Sequence, residues 1–355
     1  MLSSLMESLI AIAQQFNKTA LDLSVLGNGL INDTYLVQTS SKPFVLQKIN
    51  HSVFPQPAQI MANLSQLNYH IAQKPKDAVK LIIPAILKTQ SNDELYQDEQ
   101  GQYWRALEYI ANTESLEAIT DINQVQQTGF ALAHFHRLVS DLEPSHLVDT
   151  LPGFHIAPDY FSHYQQVLKA ATTVSSPESQ YCTAFIASHQ HIINDLEAAK
   201  QQGLLSLRVI HGDPKLNNFL FAKDTQKIIS LIDLDTVKPG LVHYDIGDCL
   251  RSCCHNLATN DFDLEIATAL LTSYLSEAGL FFSEADYDYL YASIRLIPFE
   301  LGLRFYTDYL EANCYFKVTE PEQNLHRAVN QFQLCESIMQ QECAINALIT
   351  QLKLL

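Results

Sequence analysis

His211-Gly212-Asp213-Pro214-Lys215-Leu216-Asn217-Asn218 is the segment of this 355-residue chain with the densest chemistry. It lies between two apolar, strand-like runs, 207–210 and 227–232, so a polar loop is held between rigid elements. Asp213 and Asn218 stand five residues apart, and Asp233 ends the second run twenty residues after Asp213. A carboxylate, an amide and a second carboxylate on a neighbouring strand end suit phosphoryl transfer. One Asp accepts the proton of an attacking hydroxyl, while the Asn and the other Asp hold Mg2+ against a triphosphate. A surface turn with an Asx cap is the plain alternative for a single Asp–Asn pair. The whole spacing, in a strand–loop–strand setting, favours catalysis.

The elements that must position this loop can be read from periodicity. Residues 21–26, 34–39 and 44–49 are β-prone runs separated by Gly27-Asn28-Gly29 and Ser40-Ser41-Lys42-Pro43, a meander of three strands. A helix is expected over 56–73, with Ile60, Met61, Leu64, Leu67 and Ile71 on one stripe. Further strands are expected near 81–87, 94–97 and 103–110. From about 111 the texture turns helical. Asp121 can cap a helix to about Val139, and Pro177 suits the first turn of one reaching about Lys200. Helices resume near Tyr244, near Phe262 and after Ser283, where Ser283 and Asp286 fit a capping box. Thr319 and Glu322 fit a second box, opening a last long helix. The reading is an α+β chain with a β-rich lobe, 1–110, and a helical lobe, 111–355, joined near 109–112.

Composition bounds the function. With 39 acidic and 22 basic residues the formal charge is −17, and 47% of residues are hydrophobic. That apolar share supplies a core. The acidic balance excludes a nucleic-acid binder and docking on an anionic membrane. Residues 1–16 carry no Lys or Arg and pattern as one face of an amphipathic helix, and no stretch is apolar enough to span a bilayer. Seven cysteines without a CxxC favour reduced thiols and a cytoplasmic protein.

The 211–218 loop resembles the HGDxxxxN loop of the aminoglycoside phosphotransferase and choline kinase superfamily. That resemblance implies a bilobal protein kinase-like fold, with a small N-terminal antiparallel sheet lobe containing a helix and a larger, mainly helical C-terminal lobe. It implies ATP and Mg2+ as cofactors, Asp213 as catalytic base with Lys215 in the same loop, and Asn218 and Asp233 as metal ligands. No Ala-Pro-Glu follows Asp233, which argues against a protein substrate. Gly27, Asn28, Gly29, Asn32 and Thr34 stand where a phosphate-covering loop belongs, although GxG alone also fits a plain hairpin turn. Asn32 takes the third glycine position and no helix opens there, which argues against a dinucleotide fingerprint. Lys48, on the third strand, is either the lysine that pairs with the phosphates or a solvent-facing strand lysine. The expected partner on the next helix is missing, because 54–74 contains no Asp or Glu; Gln59 or Asn63 is left to bond the ammonium. In the 104–110 segment the resemblance places the Glu108 carbonyl and the Ile110 N–H against adenine.

Tyr244-Asp245-Ile246-Gly247-Asp248 and Arg304-Phe305-Tyr306-Thr307-Asp308-Tyr309-Leu310, with the earlier motifs, resemble the N-acetylhexosamine 1-kinases over about residues 20–335. The small-molecule partner implied is an amino sugar, phosphorylated on its anomeric hydroxyl, with Arg304 and Tyr315 as substrate contacts beside Asp213. For Arg304 an ion pair with Asp308 at i,i+4 is an equal reading. Phe154-His155 either reaches the sugar or leaves His155 on the surface. Asp245 reads as a brace for the catalytic loop, and Asp235 as a neighbour of the metal or of Lys215. Cys249, Cys253 and Cys254 read as buried thiols, and His134 and His136 as packing residues. The alternatives are a kinase of an aminoglycoside, choline or homoserine, or a catalytically inactive kinase-like binding module.

Overall fold

Leu9, Ile12, Ala13 and Phe16 are spaced for one face of a helix, and α1 (Leu2–Phe16) buries that face against a sheet. A computed structural model describes residues 2–27, 31–170, 176–279 and 281–354. The meander is β1 (Ala20–Val25), β2 (Asp33–Thr39) and β3 (Phe44–Ile49), each antiparallel to the next. Then come α2 (Pro57–Ala72), β4 (Ile86–Leu87), β5 (Tyr96–Gln97) and β6 (Tyr103–Glu108). The sheet order is β1-β2-β3-β6-β4, with β5 also on β6. One sheet face carries Leu23, Val37, Phe44, Leu46, Trp104 and Ala106 under α1. On the other side, Ile49 joins the main core with the α2 stripe Ile60, Met61, Leu64, Leu67 and Ile71. The sheet is thus sandwiched, and only its second face can look toward the catalytic loop.

The remainder is mainly helical. β7 (Thr113–Ser115) leads to α3 (Ile122–Leu138), which Asp121 caps by accepting from the Asn123 N–H. Next are α4 (Ala157–Ala170), α5 (Pro177–His189) and α6 (Asp195–Gln201). β8 (Arg208–Ile210), β9 (Phe219–Ala222), β10 (Ile228–Leu231) and β11 (Lys238–Gly240) form two small ladders, β10-β9-β7 and β11-β8. They are followed by α7 (Val242–Cys253), α8 (Leu264–Ala278), α9 (Glu284–Asp288), α10 (Leu290–Leu310), α11 (Gln323–Gln340) and α12 (Glu342–Lys353). Among the described residues no helix is long and apolar enough to cross a membrane.

Several boundaries differ from the sequence reading. The strand over 81–87 shrinks to β4, and the helix from Pro177 breaks into α5, a 3-10 turn over 190–194, and α6. The Ser283–Asp286 capping box forms, but its helix ends at Asp288 and α10 starts afresh at Leu290. No box forms at Thr319–Glu322; the Gln323 side chain takes the Thr319 N–H instead, at 2.7 Å. Strands of three or four residues (β7, β9 and β11) leave little periodicity to detect, and α4, at 14 residues, is an addition to the sequence reading.

Removing the Phe16 ring should leave a cavity between α1 and the sheet. Phe16→Ala is expected to lower stability by about 3–5 kcal/mol in urea unfolding. A change below about 1 kcal/mol would mean that α1 does not seal this face.

Candidate active site

β8 delivers His211, Gly212 and Asp213 to the end of the ladder, and the loop's shape is dictated by what lies behind it. Gly212 has φ +89°, and a Cβ there would sit 2.6 Å from the Thr236 carbonyl oxygen, so only glycine lets the loop lie on this turn. Asp245, in the first turn of α7, accepts from the His211 N–H at 2.7 Å and the Gly212 N–H at 2.8 Å. The same carboxylate meets His136 Nε2 at 2.8 Å, and His136 Nδ1 meets the Tyr274 hydroxyl at 2.8 Å. Burial works to raise the Asp245 pKa, but these hydrogen bonds and neighbouring histidines hold it below the ordinary carboxylate value. The brace expected of Asp245 is therefore present, and His136 packs by orienting it.

His211 ties the loop to the next strand. Its Nδ1 accepts from the Asp213 N–H at 3.3 Å and its Nε2 donates to the Ile232 carbonyl at 3.0 Å, which fixes one tautomer. Asn218 Nδ2 donates to the Asp213 carbonyl at 2.7 Å, and the Asn218 carbonyl accepts the Ile232 N–H at 2.9 Å. Lys215 Nζ lies 2.5 Å from Asp213 Oδ2. Burial opposes the lysine's charge, yet Asp213 and Asp233 outweigh it and raise its pKa. Asp233 adopts the left-handed conformation, φ +64°. Although the residue itself reaches solvent, desolvation by the protein packed around it, with help from Asp235 and Asp213, pushes its carboxyl up against the opposing pull of Lys215. Asp213, Lys215, Asn218 and Asp233 are thus brought together. Among the described residues no three His, Cys, Asp or Glu side chains group as a metal cluster.

The sheet face above this loop differs from expectation. Lys48 pairs with Asp33 at 2.5 Å across the β2–β3 ladder. It shares strand parity with Phe44 and Leu46, hence the α1 side of the sheet. Gln47 faces the other way. Its Oε1 accepts from Arg105 Nε and Nη2 at 2.9 and 2.8 Å, and its Nε2 donates to Thr34 Oγ1 at 3.0 Å. Arg105 reaches Asp235 at 2.5 Å, and both are buried. Asn32 Nδ2 donates to the same Asp235 at 2.8 Å. Lys48 is therefore not on the face that meets the catalytic loop, and neither Gln59 nor Asn63 attends it. Gln59 bonds Gln56, and Asn63 bonds the Val148 and Val237 backbones. Asp235 serves neither Lys215 nor a continuing strand, because 234–236 is a 3-10 turn. Gly27 has φ +71°; Asn28 and Gly29 lie outside the described residues. Glu108 ends β6, its N–H donating to Ala85, and the Ile110 carbonyl accepts the Thr113 hydroxyl at 2.6 Å.

The Arg304 guanidinium, near enough to feel the charge of Asp213, lies 5.0–5.8 Å from the ring centres of Phe154, Tyr160, Tyr315 and Phe316. Burial opposes its charge, but Tyr160, Tyr315, Glu300 and Asp213 raise its pKa. Asp308 makes no ion pair with it; that carboxylate accepts from the Tyr315 and Phe316 N–H groups at 2.7 and 3.0 Å. His155 is buried, not a surface residue, and bridges Glu300 and the Gly212 carbonyl at 3.0 and 2.7 Å. The cysteines at 249, 253 and 254 are buried free thiols. His134 is buried between Glu277 and the Lys80 N–H.

Known proteins resemble this arrangement. The profile of the phosphotransferase enzyme family matches residues 22–315. A microcompartment-associated aminopropanol kinase superposes with a TM-score of 0.65 at 17% identity, covering 95% of this chain and 98% of its own. An aminoglycoside phosphotransferase from Alicyclobacillus acidocaldarius gives 0.62 at 16%, covering 97% and 96%. An amicoumacin kinase, in complex with AMP-PNP, Ca2+ and Ami, gives 0.61 at 14%, covering 92% of each. At these identities the likeness establishes the bilobal protein kinase-like fold.

Two outcomes test the scaffold. Asp245→Asn puts an amide donor against two backbone N–H groups and should lower kcat by about 10²-fold through a misplaced Asp213; steady-state kinetics on folded variant checks this. On α7, burial pulls His243 down to about 4 from 6.5. Above 6.5 the unfolded chain takes no extra proton. As pH falls toward 4 it does, and stability drops by up to about 1.4 kcal/mol per pH unit. Denaturant titrations from pH 7 to 4.5 should show this slope flattened in His243→Gln.

Proposed function

The chain belongs to the phosphotransferase enzyme family, and from that premise we propose that it moves the γ-phosphate of ATP to a hydroxyl of a small molecule. The observation that carries the reading is the joining of Asp213, Asn218 and Asp233 on adjoining loops behind one brace, Asp245. Asp213 takes the proton of the attacking hydroxyl, and Lys215 holds its carboxylate in place. Asn218 and Asp233 are the groups that would hold Mg2+. A solvent-reachable carboxyl whose charge is disfavoured by Asp235 and Asp213 beside it fits such a partner, and so small a ligand set suits a metal completed by phosphate oxygens and water. When bound, the metal neutralises charge on the transferring phosphate. In this reading 1–110 is the nucleotide lobe. Gly27, Asn28 and Gly29 cover the phosphates there, Asn32 and Thr34 position the turn, and Glu108 and Ile110 offer backbone groups to adenine. Residues 111–355 carry the acceptor.

For the acceptor we favour the anomeric hydroxyl of an N-acetylhexosamine. Arg304 is a fixed cation beside Asp213, walled by four aromatic rings. Ring faces suit the C–H side of a sugar, and a guanidinium suits hydroxyl and acetamide oxygens. The same cation repels an ammonium, which counts against aminopropanol-, choline- or aminoglycoside-like acceptors here.

ATP consumption over amino sugars, aminoglycosides, choline, aminopropanol and homoserine, with products read by phosphorus NMR, tests both levels. The expected result is a sugar 1-phosphate. A sugar 6-phosphate, or preference for a cationic alcohol, would overturn the acceptor reading. Asp213→Asn should lower kcat by at least about 10²-fold, and EDTA should abolish turnover until Mg2+ is restored.

A further inference from the structure

A kinase site needs a cation against the non-transferring phosphates, and kinase-like sites hold it with a buried carboxylate. On the third strand that cation is absent from the face that meets the catalytic loop, because Gln47 stands there and Lys48 pairs with Asp33 on the α1 side. Directly across the ladder from Gln47 is Arg105. The Gln47 amide oxygen accepts two of its N–H groups, at 2.9 and 2.8 Å, and Asp235 pairs with it at 2.5 Å. Asp235 lies two residues beyond Asp233, and Asn32, from the turn after the glycine segment, bonds the same carboxylate. Arg105 is therefore ringed by the elements that would border a bound triphosphate. Its remaining nitrogen, Nη1, is buried and finds no hydrogen-bond partner among the described residues. A buried charged donor without an acceptor is costly unless something else supplies one.

Resting on the kinase reading, we infer that Arg105 is the phosphate-binding cation of this site. It has moved one strand over from the usual lysine, with Asp235 in place of the helix glutamate and Gln47 as its cradle. This accounts for the lack of any Asp or Glu over 54–74. With no lysine on this face to pair, α2 is free to use Asn63 as a clamp on the Val148 and Val237 backbones.

The test separates phosphate recognition from lobe stability by comparing ADP with adenosine, each titrated calorimetrically into the full chain with Mg2+. Arg105→Met should weaken ADP by at least about tenfold, the scale of one lost charge-assisted hydrogen bond, while adenosine changes by less than about threefold. Lys48→Ala should leave ADP affinity within about threefold. If Arg105→Met does not fold, Arg105→Lys keeps a charge against Asp235 but loses the fork, and should still weaken ADP selectively by about threefold or more. Unchanged ADP affinity in the folded Arg105 variant, or a parallel loss of adenosine, would overturn the assignment and leave Arg105 a purely structural tie. Wild-type protein that shows this Arg105-dependent ADP binding yet phosphorylates no acceptor would sink the kinase reading alone.

Discussion

A single buried carboxylate organises the centre of this protein. Asp245 has no access to water, so its charge must be met by donors, and it is met by two consecutive backbone N–H groups of the catalytic loop and one imidazole. The first turn of α7 therefore sets where His211 and Gly212 lie. Gly212 can fit only because it lacks a side chain against Thr236, and Thr236 returns a hydroxyl bond to the His211 carbonyl at 2.9 Å. From there the constraint passes to Asp213 and, through His211 and Ile232, to Asp233.

Much of this was legible in the residues. The HGD loop, its asparagine and the following aspartate carry their spacing in the sequence, and β3 and the stripe of α2 are dictated by period. The strand face of Lys48 was not legible. In Phe44–Ile49 both parities contain large apolar residues, so alternation does not say which side meets α1. Only the contacts of Phe44, Leu46 and Trp104 decide it. Arg105 was hidden for a related reason: an arginine flanked by Trp104 and Ala106 in a buried strand signals a charge that must be compensated, but its partner lies 130 residues away in sequence. His155 and Glu300 are likewise joined only by the fold. Helix breaks at 190–194 and at Tyr289 escape notice because neither a proline nor a glycine marks them.

The surroundings of Arg304 are organised by different physics. Where the catalytic loop rests on carboxylate–amide bonds, the Arg304 pocket rests on ring faces, and its cation is stabilised by quadrupoles more than by ion pairing. His155 connects the two halves, since one imidazole nitrogen reads Glu300 on α10 and the other the Gly212 carbonyl.

Tyr315 and Phe316 follow the last turn of α10, pinned through Asp308, whose carboxylate also takes Asn324 Nδ2 at 2.8 Å. This anchorage runs through Asp308, whereas the loop is held through Asp245, and His155 is a bond between the two sides. The rings at 315 and 316 can consequently be exchanged while the Asp245 bonds to His211 and Gly212 stay in place. On the proposed function, such a division of labour lets the wall change with the alcohol while the base stays where it is.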